Sequence, residues 1–219
     1  LIDKGLGHNS KVGMYLYNSP EYAETNFAAM KISGVPINVN YRYLDDELHY
    51  LLENADIEAL VFHSSLGDRV ARVCDRLPML KSMICVDDGP AEDRSMGPTT
   101  GIPYDTFLAQ ASGTAKTQPH GDEIYMLYTG GTTGMPKGVM YPLDAFTGFF
   151  MRGFPPMIGL PPFEDAAQFG PAARQMVDAN TTIVAMSGPP LMHGTGCWFG
   201  LMCPRLLGST SHKRGKRGF

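Results

Sequence analysis

Residues 11–40 read KVGMYLYNSPEYAETNFAAMKISGVPINVN, and this stretch decides the fold class. KVGMYLYN (11–18) is a short apolar strand ending in a turn. Ser19 is placed to cap a helix, Pro20 suits its first position, and Glu21 and Glu24 suit the positive end of its dipole. Ala23, Phe27, Met30 and Lys31 follow at helical spacing, and Gly34 stops the helix. VPINVN (35–40) is then a second strand. A helix set between two apolar strands by short connections is a right-handed crossover, the unit that builds parallel sheets.

The alternation continues outward. A helix is expected from about Leu44 to Asn54, with an apolar stripe of Leu44, Leu48, Leu51 and Leu52. EALVFH (58–63) is a strand, Leu66 to Leu77 a helix and KSMICVDD (81–88) another strand. The fold class is therefore α/β, with mostly parallel sheets and helices on both faces. A Pro/Gly/acid-rich surface loop (88–103), a short helix (104–111) and a polar connector lead to EIYMLYT (123–129), a buried strand. Farther on, 142–153 reads as a helix, 153–162 as an irregular apolar loop and 164–177 as a helix. A strand at 181–187 and an apolar helix at 196–207 complete the pattern.

Composition excludes several classes. The chain has 219 residues, 43% hydrophobic and only 18% charged, which rules out intrinsic disorder. Gly (25) and Pro (17) show no G-x-y period, so a loop-rich, enzyme-like domain replaces collagen. The net charge of −4 conceals an asymmetry, because SHKRGKRGF (211–219) holds four of the 18 Lys and Arg. The remainder sets 14 basic against 22 acidic residues, a poor general nucleic-acid surface. No apolar run approaches the ~18 residues of a membrane span, and the first residues carry no signal-peptide pattern. Peripheral membrane contact is compatible with this. Cys74, Cys85, Cys197 and Cys203 form no C-x-x-C pair, so reduced thiols, a cytoplasmic location and no metal site are expected.

The chemistry concentrates at 128–138, YTGGTTGMPKG, directly after a strand. Gly130, Gly131 and Gly134 let the backbone turn tightly and aim successive N–H groups at one anion. Thr129, Thr132 and Thr133 add hydroxyl donors, and Lys137 adds a mobile positive charge. Phosphate oxygens want that combination. The order Pro-Lys-Gly separates the loop from G-x-x-x-x-G-K-[ST], where Gly precedes the Lys and a hydroxyl follows it.

YTGGTTGMPKGVMY resembles the phosphate-binding signature of adenylate-forming enzymes, which comprise acyl-CoA synthetases, peptide-synthetase adenylation domains and luciferases. Every signature position is met, with Gly130 in the slot where Ser is commoner. Upstream, NSPEYAETNFAAMKISGVPINVNYRYLDDELHYLLENADIEALVF is similar to the segment acyl-CoA synthetases carry before the loop. Downstream, PPLMHGTG (189–196) resembles their proline–hydrophobic–His–x–x–Gly motif, whose His lies beside the acyl pocket. The likeness covers about residues 1–208, which are expected to form a partial AMP-binding N-terminal domain.

That resemblance implies a two-step reaction using ATP, Mg²⁺ and CoA. A small-molecule carboxylate, of fatty-acid type, attacks the ATP α-phosphate to give acyl-AMP and pyrophosphate. CoA thiol then displaces AMP, giving an acyl-CoA. Thr129, Thr132, Thr133 and the Gly130, Gly131 and Gly134 backbone would hold the β- and γ-phosphates. Lys137 would neutralise charge on the leaving pyrophosphate. His193, flanked by Pro189-Pro190 and Gly194, would gate the acyl site. Trp198, Leu201 and Met202, with Phe149, Phe150 and Met151, are candidates for an acyl tunnel, although apolar residues at helical spacing are more often plain core. His8, His49, His63 and His120 share no motif spacing and read as structural or surface residues.

The family further implies a Tyr-Gly-x-Thr-Glu element, a ribose-binding Asp, a hinge and a C-terminal domain with a catalytic Lys. None occurs in these 219 residues; the Gly-Asp pairs at 67–68 and 121–122 lie upstream of the expected position. The expectation is a fragment of a fatty-acid-type acyl-CoA synthetase, inactive alone, with a clipped N-terminus. Its tail at 209–219 is expected to be aberrant or disordered, leaving 181–207 without a sheet neighbour. Two alternatives stand beside it. One is a non-catalytic nucleotide-binding module. The other is a peptide-synthetase adenylation domain, which the His of PPLMHGTG disfavours.

Overall fold

The computed structural model describes residues 1–89, 101–113, 118–131, 134–208 and 210–213, the last four by their backbone. Two compact units divide the chain, Leu1–Met140 and Tyr141–Phe219.

The first unit is built on a seven-stranded sheet. Its strands are β1 (Lys11–Tyr15), β2 (Val35–Asn38), β3 (Ile57–His63), β4 (Ser82–Val86), β5 (Ile102–Pro103), β6 (Ile124–Gly131) and β7 (Gly134–Pro142). They lie in the order β5-β4-β3-β1-β2-β6-β7. From β5 through β6 every neighbouring pair is parallel, as the crossovers require. The crossovers run through α1 (Pro20–Lys31), α2 (Asp45–Asn54) and α3 (Gly67–Cys74). Leu48, Leu51, Leu52, Val70 and Val73 pack with Val35, Ile37, Leu60 and Phe62 in one buried cluster. This layer holds β2 and its sheet neighbour β6, the strand that leads to the glycine-threonine loop.

Local chemistry sets the helix starts. Ser19 Oγ accepts from the Tyr22 N–H at 3.3 Å, and Pro20 occupies the first turn. The buried face of α1 is Tyr22, Thr25, Asn26 and Ala29, shifted from the expected Ala23, Phe27 and Met30. Leu44 also departs from expectation. It precedes α2, is 62% exposed, and its N–H donates to the Glu47 carboxylate at 3.1 Å.

Three further differences follow from the backbone. Residues 102–103, expected within a surface loop, pair with β4 as the short edge strand β5. Residues 134–142 form a strand where a loop running into a helix was expected. In the second unit, α5 (Leu143–Met157) continues through Pro155 and Pro156 into the expected loop. Pro155 offers no N–H to the Met151 carbonyl four residues back, and the Phe163 N–H occupies that carbonyl at 2.9 Å.

The second unit continues with α6 (Phe169–Asp178) and β8 (Val184–Ser187). One helix then runs as α7 (Gly194–Cys197), a π-turn at Trp198–Met202 and α8 (Cys203–Leu206). The tail differs from expectation over 210–213, where β9 (Thr210–Lys213) pairs parallel with β8. Val184 thus has Thr210 beside it and is not a bare edge on that side. Only Lys213 of the cation cluster lies in β9, and strand pairing uses the backbone, so one cation at its end does not oppose it. Residues 209 and 214–219 of the tail lie outside the described set. Among the described residues no helix is long and apolar enough to cross a membrane.

Candidate functional site

β6 carries the loop out of the core. Tyr125, Met126, Leu127 and Tyr128 are all at most 9% exposed, and the chain then emerges at Thr129 and Gly130, both exposed. β7 lies next to β6, and strands joined by only two residues can run only antiparallel. Those two, Thr132 and Thr133, lie outside the described residues. Gly134 opens β7 at φ 140°, a conformation that residues with a Cβ rarely adopt. Thr129, Gly130, Gly131, Gly134 and Lys137 are thereby gathered on one hairpin. Lys137 is exposed, and among the described residues no carboxylate pairs with it. Its charge is available to an anion.

Gly138 closes the hairpin for a packing reason that spacing alone does not reveal. A Cβ there would stand 2.9 Å from Met126 Sδ and 2.9 Å from Tyr128 Cε2, too near for either. The Tyr128 hydroxyl donates to Asn54 Oδ1 at 2.7 Å. Burial, with Tyr50 and Asp56 nearby, pushes that phenol up to about 12, so it remains a donor.

Glu123, just before β6, accepts from the His120 N–H at 2.6 Å, the Gly121 N–H at 3.0 Å and Ser33 Oγ at 3.0 Å. The backbone bond from His120 leads in lowering its carboxyl to about 2. A depressed carboxyl stabilises the fold above its unfolded value and loses that contribution as pH falls. Glu123→Gln should therefore flatten the pH dependence of unfolding between about pH 4.5 and 2, and leave the dependence above pH 5 unchanged. Urea titrations of both proteins across that range check it; identical slopes would contradict it.

His193 stands on the second unit. Strand β8 ends at Ser187, which is 4% exposed, and the chain turns through Pro189-Pro190 into the helix. Ser187 Oγ donates to the Pro189 carbonyl at 2.7 Å, with the Gly196 carbonyl 3.3 Å away. The His193 N–H donates to the Pro190 carbonyl at 3.0 Å, and the His193 carbonyl accepts from the Cys197 N–H at 2.9 Å. The His193 side chain itself is exposed, at the helix start. A Cβ on Gly196 would fall against the Pro190 carbonyl oxygen and 2.7 Å from that of Pro189. A Cβ on Gly200 would stand 2.6 Å from Ser187 Cβ. The helix is pressed onto the turn, and its widened π-turn begins two residues after Gly196. Ser187, Gly196 and Gly200 were not legible as a set, because their contact joins residues 187, 189–190 and 196–200 only in three dimensions.

Of the acyl-lining candidates, Phe150, Leu201 and Met202 are buried, and Phe149 is 64% exposed. Trp198 packs edge-on to Phe146 at 5.3 Å and to Phe150 at 5.9 Å, ring centre to ring centre. These contacts form an aromatic core beside the His193 turn. Elsewhere, His63 is 3% exposed and its Nδ1 accepts from the Tyr17 N–H at 3.0 Å, a structural role. All four cysteines are free thiols; burial pushes Cys85 up to about 11 and Cys203 up to about 12, which keeps them protonated. Among the described residues no group of three or more His, Cys, Asp or Glu converges to hold a metal ion. The chain's own side chains there build no cage for Mg²⁺, and no step is assigned to that ion.

Comparison with known proteins places these features in company. The AMP-binding enzyme family matches residues 1–216. The 3-oxocholest-4-en-26-oate–CoA ligase of Rhodococcus rhodochrous is 36% identical over 199 residues, which is 90% of this chain and 35% of that protein. The medium-chain acyl-CoA ligase Mig of Mycobacterium avium is 33% identical over 193 residues, 85% of this chain and 33% of that protein. Among solved structures, the Brucella canis acyl-CoA synthetase superposes with a TM-score of 0.70 at 18% identity, over 100% of this chain and 35% of its own. ATP-bound MatB from Rhodopseudomonas palustris gives 0.64 at 20% identity, over 98% and 37%. The chain thus spans about a third of the length of these relatives.

Proposed function

The chain belongs to the AMP-binding enzyme family, and from that premise we propose that it is the phosphate-binding part of an ATP-dependent acyl-CoA ligase acting on an apolar carboxylate. The observation that carries this is the β6–β7 hairpin, on which Thr129, Gly130 and Gly134 are exposed and Lys137, on the return strand, has no carboxylate partner among the described residues. Thr129, Thr132, Thr133 and the N–H groups of Gly130, Gly131 and Gly134 would hold the β- and γ-phosphates of ATP. Lys137 would offset the charge that grows on pyrophosphate as the carboxylate attacks the α-phosphate. His193 would stand at the acyl site. CoA thiol then displaces AMP from acyl-AMP, which releases AMP and leaves the thioester. Relatives named for fatty acids and for a steroid acid support an apolar carboxylate, of medium- or long-chain fatty-acid type. A cytoplasmic site of action accompanies this reading.

The 219 residues contain no Tyr-Gly-x-Thr-Glu element. By themselves they would bind nucleotide phosphates without completing acyl transfer, which keeps the non-catalytic module as the reading of the isolated polypeptide. The test joins these residues to the remaining segments of the Rhodococcus rhodochrous relative. That chimera should release pyrophosphate from ATP only when an apolar carboxylate is supplied, while the 219 residues alone release none. A chimera that folds and binds ATP yet shows no carboxylate-dependent release would contradict the ligase assignment.

A further inference from the structure

Asn38 closes strand β2 and is 7% exposed. The ladder between β2 and β6 has one paired position, Ile37 with Met126. Beyond it, β7 flanks β6 on one side, and on the β2 side a side chain takes over from the ladder. The Tyr128 N–H donates to Asn38 Oδ1 at 2.7 Å, and Asn38 Nδ2 donates to the Tyr128 carbonyl at 3.0 Å. One carboxamide therefore satisfies both backbone groups of the residue immediately before Thr129. A carboxamide reproduces the donor and acceptor of a peptide group, so it can extend a ladder after the strands themselves have parted.

We propose that Asn38 is a positioning residue for the glycine-threonine loop, fixing the Tyr128 peptide groups and with them the direction in which the Thr129 and Gly130 N–H groups are presented at the loop end of β6. This rests on the reading of 128–138 as a nucleotide-phosphate site. Anion binding by backbone N–H groups depends on their orientation before the ligand arrives, because glycine-rich backbone left free must be ordered during binding. The root of the loop is already buried. Tyr128 is 7% exposed and its hydroxyl donates to Asn54, so its side chain is anchored while Asn38 holds its backbone. Asn38 touches no phosphate in this scheme and works through Tyr128.

The experiment measures inorganic tripolyphosphate binding to the 219-residue chain by ³¹P NMR, well below the melting transition. Wild type, Asn38→Leu, Asn38→Asp and Lys137→Ala are compared, with amide hydrogen exchange recorded on each. Leucine matches asparagine in size and removes both bonds; aspartate keeps the acceptor and loses the donor. Asn38→Leu is expected to weaken binding at least tenfold and to speed exchange at 128–131, with exchange at 57–63 unchanged. Asn38→Asp adds a charge that itself repels the anion, so its readout is exchange at 128–131, which should quicken; unchanged exchange there would overturn the proposal, and this variant decides the matter if Asn38→Leu does not fold. Faster exchange at 128–131 with wild-type affinity would make Asn38 merely structural and overturn the proposal. Weak binding by Lys137→Ala beside full binding by both Asn38 variants would overturn it while sparing the loop assignment. No binding by wild type would overturn both.

Discussion

Replacing Lys137 by alanine in the chimeric ligase should slow acyl-adenylate formation by about ten- to a thousandfold, the loss of about 1.4–4 kcal/mol of charge stabilisation. The side chain is exposed and has no carboxylate partner among the described residues, so its removal should leave the melting temperature close to wild type. On the proposed reading its charge acts when pyrophosphate leaves. Thioester formation from supplied acyl-AMP involves no departing pyrophosphate and should be nearly unaffected. Rapid-quench measurement of the two half-reactions separates these outcomes. Equal losses in both would mark Lys137 as structural and contradict the assignment.

Gly196→Ala should destabilise the second unit by about 3 kcal/mol, near the upper end for overpacking, because the added methyl meets two backbone carbonyls that cannot step aside. Flexible side chains yield to a new methyl; the Pro189-Pro190 backbone, locked at two φ angles, does not. Ser187 would lose its place as well, since its hydroxyl lies between the Pro189 and Gly196 carbonyls. The effect should appear as early urea unfolding of Trp198 fluorescence, while the β-sheet signal of Leu1–Met140 persists. A Trp198 transition at the wild-type midpoint would show that the turn adapts. His193 shares that turn, so Gly196 bears on its placement without offering it any side chain.

Much of the first unit was legible because one physical rule governed it. Parallel strands buried on both faces read as short apolar runs, and Ser19-Pro20 announced α1 through capping chemistry that the structure reproduces. The segment 128–138 stood out in the sequence for a similar reason, since glycine, hydroxyl and lysine in one continuous run need no tertiary information; its anion-binding role is the proposal. Features that depend on closeness in space were not. Gly138 faces residues 126 and 128 across the hairpin, and Gly200 faces Ser187 across a turn. Asn38 and Tyr128 are 90 positions apart. Leu44 and α1 show a different failure, since periodicity gave the helix and missed the face by one residue. The strand β9 was hidden by the cations that follow it, because composition weighs side chains and strand pairing uses the backbone. Helix α5 continued past Pro155 with Phe163, remote from the helical pattern, supplying the donor that the proline lacks.

The central claim is that the loop at 128–138 holds the β- and γ-phosphates of ATP, and amide chemical shifts of the 219-residue chain test it most directly. Titration with MgATP should move the resonances of Thr129, Gly130, Gly131, Thr132, Thr133, Gly134 and Lys137, and AMP at the same concentration should leave them in place. Equal shifts with AMP, or an unmoved loop while other residues respond to MgATP, would contradict the account.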